Sequence, residues 1–216
     1  MNEQETVNGT VASVIYQNEE NGYAVLRLVT GDGELITVTG CVPCAAPGEE
    51  LYATGGFVTH PQHGRQFSAA AVERYLPQSD AAIADFLASG VVRGIGPAMA
   101  QRLVERFGAG TLDVLENTPE ELRKLKGFSD KRAREIAESF REQLGIRRLM
   151  EFLTANKLPA ALSVPLCRRY GAGAIEMLRR NPYLLAAEPY NVAFGAVDEI
   201  ALSLGGSISP ACRTEA

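Results

Sequence analysis

Long apolar runs are missing from this 216-residue chain. Nowhere do 18 apolar residues follow one another, so no helix is expected to span a membrane. The opening residues, Met1-Asn2-Glu3-Gln4-Glu5, are acidic and polar rather than signal-like, and the expected location is the cytoplasm. Cysteine is scarce: four in a chain of this size do not read as a disulfide framework. Cys41-Val42-Pro43-Cys44 has metal or redox spacing. It lacks a second such pair or a nearby His to complete a tetrahedral site, so no metal is expected. Only two histidines occur, His60 and His63, flanking one turn with no acid or nucleophile in pattern beside them. Lysine is sparse as well. Lys124, Lys126, Lys131 and Lys157 are neither preceded by Gly nor followed by Ser or Thr, so the Gly-Lys-Ser/Thr of a phosphate-binding loop is absent. No Ser/His/Asp, Cys/His or metal constellation points to catalysis. What is present is an ordinary globular composition, 46% apolar and 22% charged, long enough for one large or two small domains.

The net charge of −5 argues against a nucleic-acid partner until its distribution is read. Residues 1–76 hold three basic side chains, Arg27, Arg65 and Arg74, against nine acidic ones, a net of −6. Residues 77–216 hold 18 basic and 17 acidic side chains, and 14 of the 18 are Arg, whose planar fork suits phosphate. A neutral segment supports DNA binding only where its cations cluster on one face.

Residues 1–76 read as strands. Val7 to Gln17, Tyr23 to Val29, Leu35 to Val38, Leu51 to Thr59 and Gln66 to about Tyr75 are β-branched or alternating runs. Turn signals at Asn18–Gly22, Gly31-Asp32-Gly33 and His60–Gly64 separate them, and Gly55-Gly56 predicts a bulge. Five short antiparallel strands fit a small Greek-key barrel of the OB type. Tyr23, Phe57 and Phe67 are candidates for stacking bases, although each reads first as core.

From Pro77 the period becomes helical. Ser79 caps a short helix with Ile83, Phe86 and Leu87 inward. Arg93-Gly94-Ile95-Gly96-Pro97 then forms a tight elbow, with Pro97 at the first position of a helix that carries Ala100, Leu103, Val104 and Phe107 on one face. Thr118-Pro119-Glu120-Glu121 predicts a capping box. Lys126-Gly127-Phe128-Ser129 repeats the elbow, followed by Lys131 and Arg132 on a helix with Ala133, Ile136, Ala137 and Phe140 inward. Elbows of this kind turn backbone N–H groups outward at a helix start, a position suited to a phosphate oxygen. The stretch resembles the helix-hairpin-helix family of sequence-independent DNA-binding motifs. A glycine hairpin that simply joins two packed helices fits the same residues.

The chain also repeats itself. Phe107-Gly108-Ala109-Gly110-Thr111-Leu112 is echoed 63 residues on by Tyr170-Gly171-Ala172-Gly173-Ala174-Ile175, and Pro119 by Pro182. The second copy has Lys157-Leu158-Pro159 where the first has Gly94-Ile95-Gly96, and Pro159 offers no N–H, so this copy reads as mainly structural. The expected domains are an OB-like barrel at 1–76, a first double helix-hairpin-helix unit at 77–152, a second degenerate one at 153–206, and a tail at 207–216. The fold class is α+β.

Taken together, Gly22-Tyr23-Ala24-Val25-Leu26, His60-Pro61-Gln62-His63-Gly64-Arg65-Gln66-Phe67, Ser89-Gly90-Val91-Val92-Arg93-Gly94-Ile95-Gly96-Pro97 and Asn181-Pro182-Tyr183-Leu184 resemble the N-terminal extension of RecD-like ATP-dependent DNA helicases, the long form of the RecD/TraA group. The resemblance implies a motor beyond these domains that moves 5′ to 3′ on single-stranded DNA with ATP and magnesium. That motor is not in this chain, which reads as an N-terminal piece with no cofactor of its own. The expected role is therefore non-catalytic, sequence-independent DNA binding in a helicase concerned with repair or recombination. Arg93, Gly94, Ile95, Gly96, Lys126, Gly127, Phe128, Ser129, Lys131 and Arg132 would hold phosphates. The alternative is a protein-interaction module in which the acidic barrel docks a DNA-repair or single-strand-binding partner.

Overall fold

A computed structural model describes residues 5–203. The tail expected at 207–216 lies outside the described residues. The chain forms two compact units, Met1–Leu144 and Gly145–Ala216.

The first unit begins with five strands, β1 (Glu5–Gln17), β2 (Tyr23–Val29), β3 (Leu35–Cys41), β4 (Glu50–His60) and β5 (Gly64–Tyr75). They close into a barrel in the order β1-β2-β3-β5-β4. Only β3 and β5 run parallel, over Val38 with Phe67 and Thr39 with Ser68. The expected barrel is present, with helices after it, and the α+β class stands. Alternation decides what is inside: Ala24, Leu26 and Leu28 are sealed in the core while Tyr23, Arg27 and Val29 face out. Irregularities at Val11/Ser13 and Val14/Tyr16 bend the long β1, which pairs with β4 through its first half and with β2 through its second. The register shift expected at Gly55 is there, between Thr54 and Gly55. Of the three aromatics read as core, Phe67 is sealed and Phe57 lies half-buried edge-on against it, with ring centroids 5.1 Å apart. Tyr23 is exposed, 6.5 Å from the Tyr16 ring. It opens β2 on the outward phase, which the strand's apolar content concealed.

One loop fastens the barrel to the first helices. Arg74, buried near the end of β5, donates to the Glu49 carboxylate at 2.7 Å and to the Pro43 and Cys44 carbonyls at 2.5 and 3.0 Å. The loop so held places Ala46 in the helical core with Ile83, Phe86 and Leu103. Gly48 has φ +87°, and a Cβ there would lie 2.3 Å from the Ala82 carbonyl oxygen. Only glycine lets the loop lie this close to the helix.

The helical part of the first unit begins with α1 (Asp80–Ala88), whose N-cap Ser79 accepts the Ala82 N–H at 3.3 Å and whose Ile83, Phe86 and Leu87 face inward. Then come α2 (Pro97–Phe107), α3 (Thr111–Asn117) and the start of α4 (Asp130–Ala155). The capping box expected at Thr118 does not form. The Thr118 N–H closes α3 onto the Val114 carbonyl at 3.1 Å, its side chain caps nothing, and Pro119–Lys124 is a 3₁₀ turn.

In the second unit α4 is followed by α5 (Ser163–Tyr170), α6 (Ala174–Arg180) and α7 (Phe194–Ser203). The internal repeat is a repeat of backbone. Gly108 (φ 54°, ψ −140°) and Gly171 (φ 57°, ψ −141°) end α2 and α5 with one dihedral pair. Lys157 stands where the first copy has Gly94 and Asn191 where it has Gly127, and all four have positive φ: +57° and +47° against +89° and +95°.

Candidate nucleic-acid interface

The first elbow starts from a buried residue. Val92 is sealed, Arg93 points to solvent, and Gly94 reverses the chain at φ +89°. Gly96 then caps α2 in extended conformation, φ −104°, with Pro97 opening the helix. Ile95 belongs to the core: its side chain is buried and its N–H is bonded to the Val92 carbonyl at 3.3 Å. The elbow rests on α4, since a Cβ at Gly94 would lie 3.3 Å from Ile136.

The second elbow is built alike. The Phe128 N–H bonds to the Leu125 carbonyl at 3.2 Å, as Ile95 does to Val92, and Gly127 has φ +95°. Ser129 caps α4, its hydroxyl accepting the Arg132 N–H at 3.2 Å. The N–H groups of Gly94, Gly96, Gly127 and Ser129 all belong to exposed residues, and among the described residues no acceptor takes them. Two sets of unspent donors at helix starts face solvent, which is the arrangement that favours an anion.

Three hydrogen bonds fix the elbows relative to each other. The Arg132 guanidinium donates to the Gly94 carbonyl at 3.3 Å. Arg102 on α2 donates to the Lys126 carbonyl at 2.7 Å. The Arg93 N–H donates to Ser139 Oγ on α4 at 2.9 Å. As a result Arg93 and Gly94 share one open cleft of about 720 Å³ with Ser129, Lys131 and Arg132. Gly96, Lys126, Gly127 and Phe128 are outside its lining. Phe128 is half-buried, with the Arg132 guanidinium 5.6 Å from its ring centre.

The cleft is also lined by acid. Glu135, Glu138 and Glu142 of α4 line it, matching its three cations one for one. Glu142 pairs with Arg93 at 2.5 Å and Glu135 stands 3.9 Å from Lys131. Sequence reading found the elbows but missed Arg102, Ser139 and these glutamates. Ser139 did carry a signal, falling on the buried stripe of α4 three residues past Ile136. Glu142 gave no signal, because Arg93 is 49 residues from it in the chain.

Comparison with known proteins follows the same segments. Residues 4–77 match the family described as the OB-fold domain of the ATP-dependent DNA helicase YrrC. Residues 85–142 match the SAM-like helix-hairpin-helix tandem, and residues 142–216 the helix-hairpin-helix domain of the ATP-dependent RecD2 DNA helicase. The chain is 26% identical over 221 residues to the ATP-dependent RecD2 DNA helicase of Deinococcus radiodurans, covering 97% of this chain and 30% of that protein. Among the described residues, no helix is long and apolar enough to cross a membrane.

Proposed function

Starting from a chain that corresponds throughout to the N-terminal region of RecD-like DNA helicases, we propose that it is the non-catalytic DNA-binding region of an ATP-dependent 5′–3′ helicase. It grips the phosphate backbone without reading bases. One observation carries this reading: two exposed elbows with unspent amides, held together by the Arg132 bond to the Gly94 carbonyl. Arg93, Lys131 and Arg132 supply charge beside the first elbow and Lys126 beside the second, and backbone amides with cations of this kind position a strand without reading its sequence. The motor that would use ATP and magnesium is a partner domain in the longer protein.

The test is a salt titration of binding to fluorescein-labelled dT15 and to a 15-bp duplex. Affinity is expected to fall steeply with salt, by about 0.7 log unit per log unit for each single-strand phosphate neutralised and about 0.9 for each duplex phosphate. Gly94→Pro combined with Lys131→Glu should abolish binding to both probes, whatever their sequence, because proline cannot take φ +89°. No binding at 20–50 mM salt, a range on the order of that used to expose such contacts, rejects the proposal.

A second reading rests on the barrel. Ile15, Tyr16, Tyr23 and Leu35 are exposed on a segment with a net charge of −6. That surface suits a basic protein partner better than a nucleic acid. Loss of both DNA probes together with capture of a purified basic repair protein would favour it.

A further inference from the structure

The cleft contains its own competitor for phosphate. Arg93 carries the charge of the first elbow, and its guanidinium is already engaged by the Glu142 carboxylate at 2.5 Å. Lys131, the first cation past the second elbow, faces Glu135 at 3.9 Å. Glu135, Glu138 and Glu142 lie at i, i+3 and i+7 on α4, so they form one acidic stripe along the helix that also supports Gly94 through Ile136 and Arg93 through Ser139. The Arg93 and Glu142 side chains are 77% and 46% exposed. An ion pair so open to water is worth little and separates readily.

We infer that Glu142 is a specificity-determining residue of the cradle: an internal anion that occupies Arg93 until a backbone phosphate displaces it. This rests on the proposed function and adds to it. The acidic stripe sets the affinity low, so that the grip is exchangeable along a strand, and admits only an anion able to outcompete a carboxylate for the guanidinium. A strand phosphate carries no more charge than the carboxylate, but its neighbours are held at the same time by the other cations and the elbow amides, and its capture releases condensed counterions. The Arg93 backbone stays anchored by its N–H bond to Ser139 throughout. Only the side chain is exchanged between partners.

The displacement has a thermodynamic signature. When phosphate replaces Glu142 on Arg93, the contact neutralises a guanidinium that was already paired. In Glu142→Gln the same guanidinium is unpaired before binding. The variant should bind labelled dT15 about 1.5- to 5-fold more tightly, which is the fold-change equivalent of an exposed ion pair. Its salt slope should stay close to the parent's, because Arg93 meets the same phosphate in both. Glu105→Gln, on the exposed face of α2 where Glu105 meets Gln101, makes the same change in net charge and should leave both readings near the parent values. In an Arg93→Ala background, Glu142→Gln should gain nothing over Glu105→Gln. Equal effects of the two Gln variants, or a gain that survives loss of Arg93, would overturn the inference and reduce Glu142 to a contributor to net charge. If the parent chain binds and Glu142→Gln changes nothing, this inference fails while the proposed function stands. If neither binds either probe at low salt, both fail.

Discussion

Arg74→Met removes the donor at the centre of the loop that fastens barrel to helices. The Glu49 carboxylate is fully buried and accepts from the Arg74 nitrogens at 2.7 to 3.1 Å. Without the guanidinium that carboxylate loses these three bonds, and the Pro43 and Cys44 carbonyls lose a donor each. Breaking a buried pair from one side costs about 3–5 kcal/mol, a large part of the roughly 5–15 kcal/mol that holds a domain folded. With a urea m-value of about 2 kcal/mol/M, the unfolding midpoint should fall by about 2 M. Far-UV circular dichroism across a urea series reads this directly. The double variant Arg74→Met with Glu49→Leu should regain most of the loss, because it removes the buried carboxylate together with the guanidinium. A cost below about 1 kcal/mol for Arg74→Met alone, or a double variant clearly less stable than the single, would show that the loop is held by its apolar contacts and not by this hub.

Two further outcomes can be measured. Gly94→Ala should destabilise by about 2 kcal/mol and Gly127→Ala by nearer 1 kcal/mol, since both carry the cost of a left-handed alanine but only Gly94 must also push Ile136 back from 3.3 Å; equal costs in the same urea series would deny the Ile136 contact. Burial raises the Cys41 thiol from 9.0 to about 11, with Arg74 pulling the other way. At pH 8 its thiolate fraction, and with it the rate of iodoacetamide labelling, should be about 100-fold lower than for an unshifted thiol. Peptide-resolved mass spectrometry checks this, and labelling at the rate of the urea-unfolded chain would refute it.

The barrel was legible because its strands alternate cleanly: Ala24, Leu26 and Leu28 go in, and the residues between them do not. Helix starts were legible where a side chain does the capping, at Ser79 and Ser129, and misread at Thr118, where the end of α3 took the backbone that a cap would have needed. Both elbows could be found from local residues, the first from its glycines and Pro97, the second from Gly127 and Ser129. Their surroundings could not. The partners of Arg93, Ser139 and Glu142, lie 46 and 49 residues away, on a helix whose local sequence gives no sign that Arg93 meets it. Hydrophobic period reports which face of α4 is inside; it does not report what crosses its rim.

Lys157 and Asn191 bend the chain as Gly94 and Gly127 do, without glycine's ease. The bends persist because neighbouring bonds hold them: the Leu158 N–H to the Leu153 carbonyl at 2.8 Å, and the Val192 N–H to the Leu185 carbonyl at 2.9 Å. A left-handed residue other than glycine costs on the order of 1–2 kcal/mol, and the duplicate carries that burden twice. One backbone path is thus built in the two halves with different corner residues, so the shape of these bends does not depend on glycine being there.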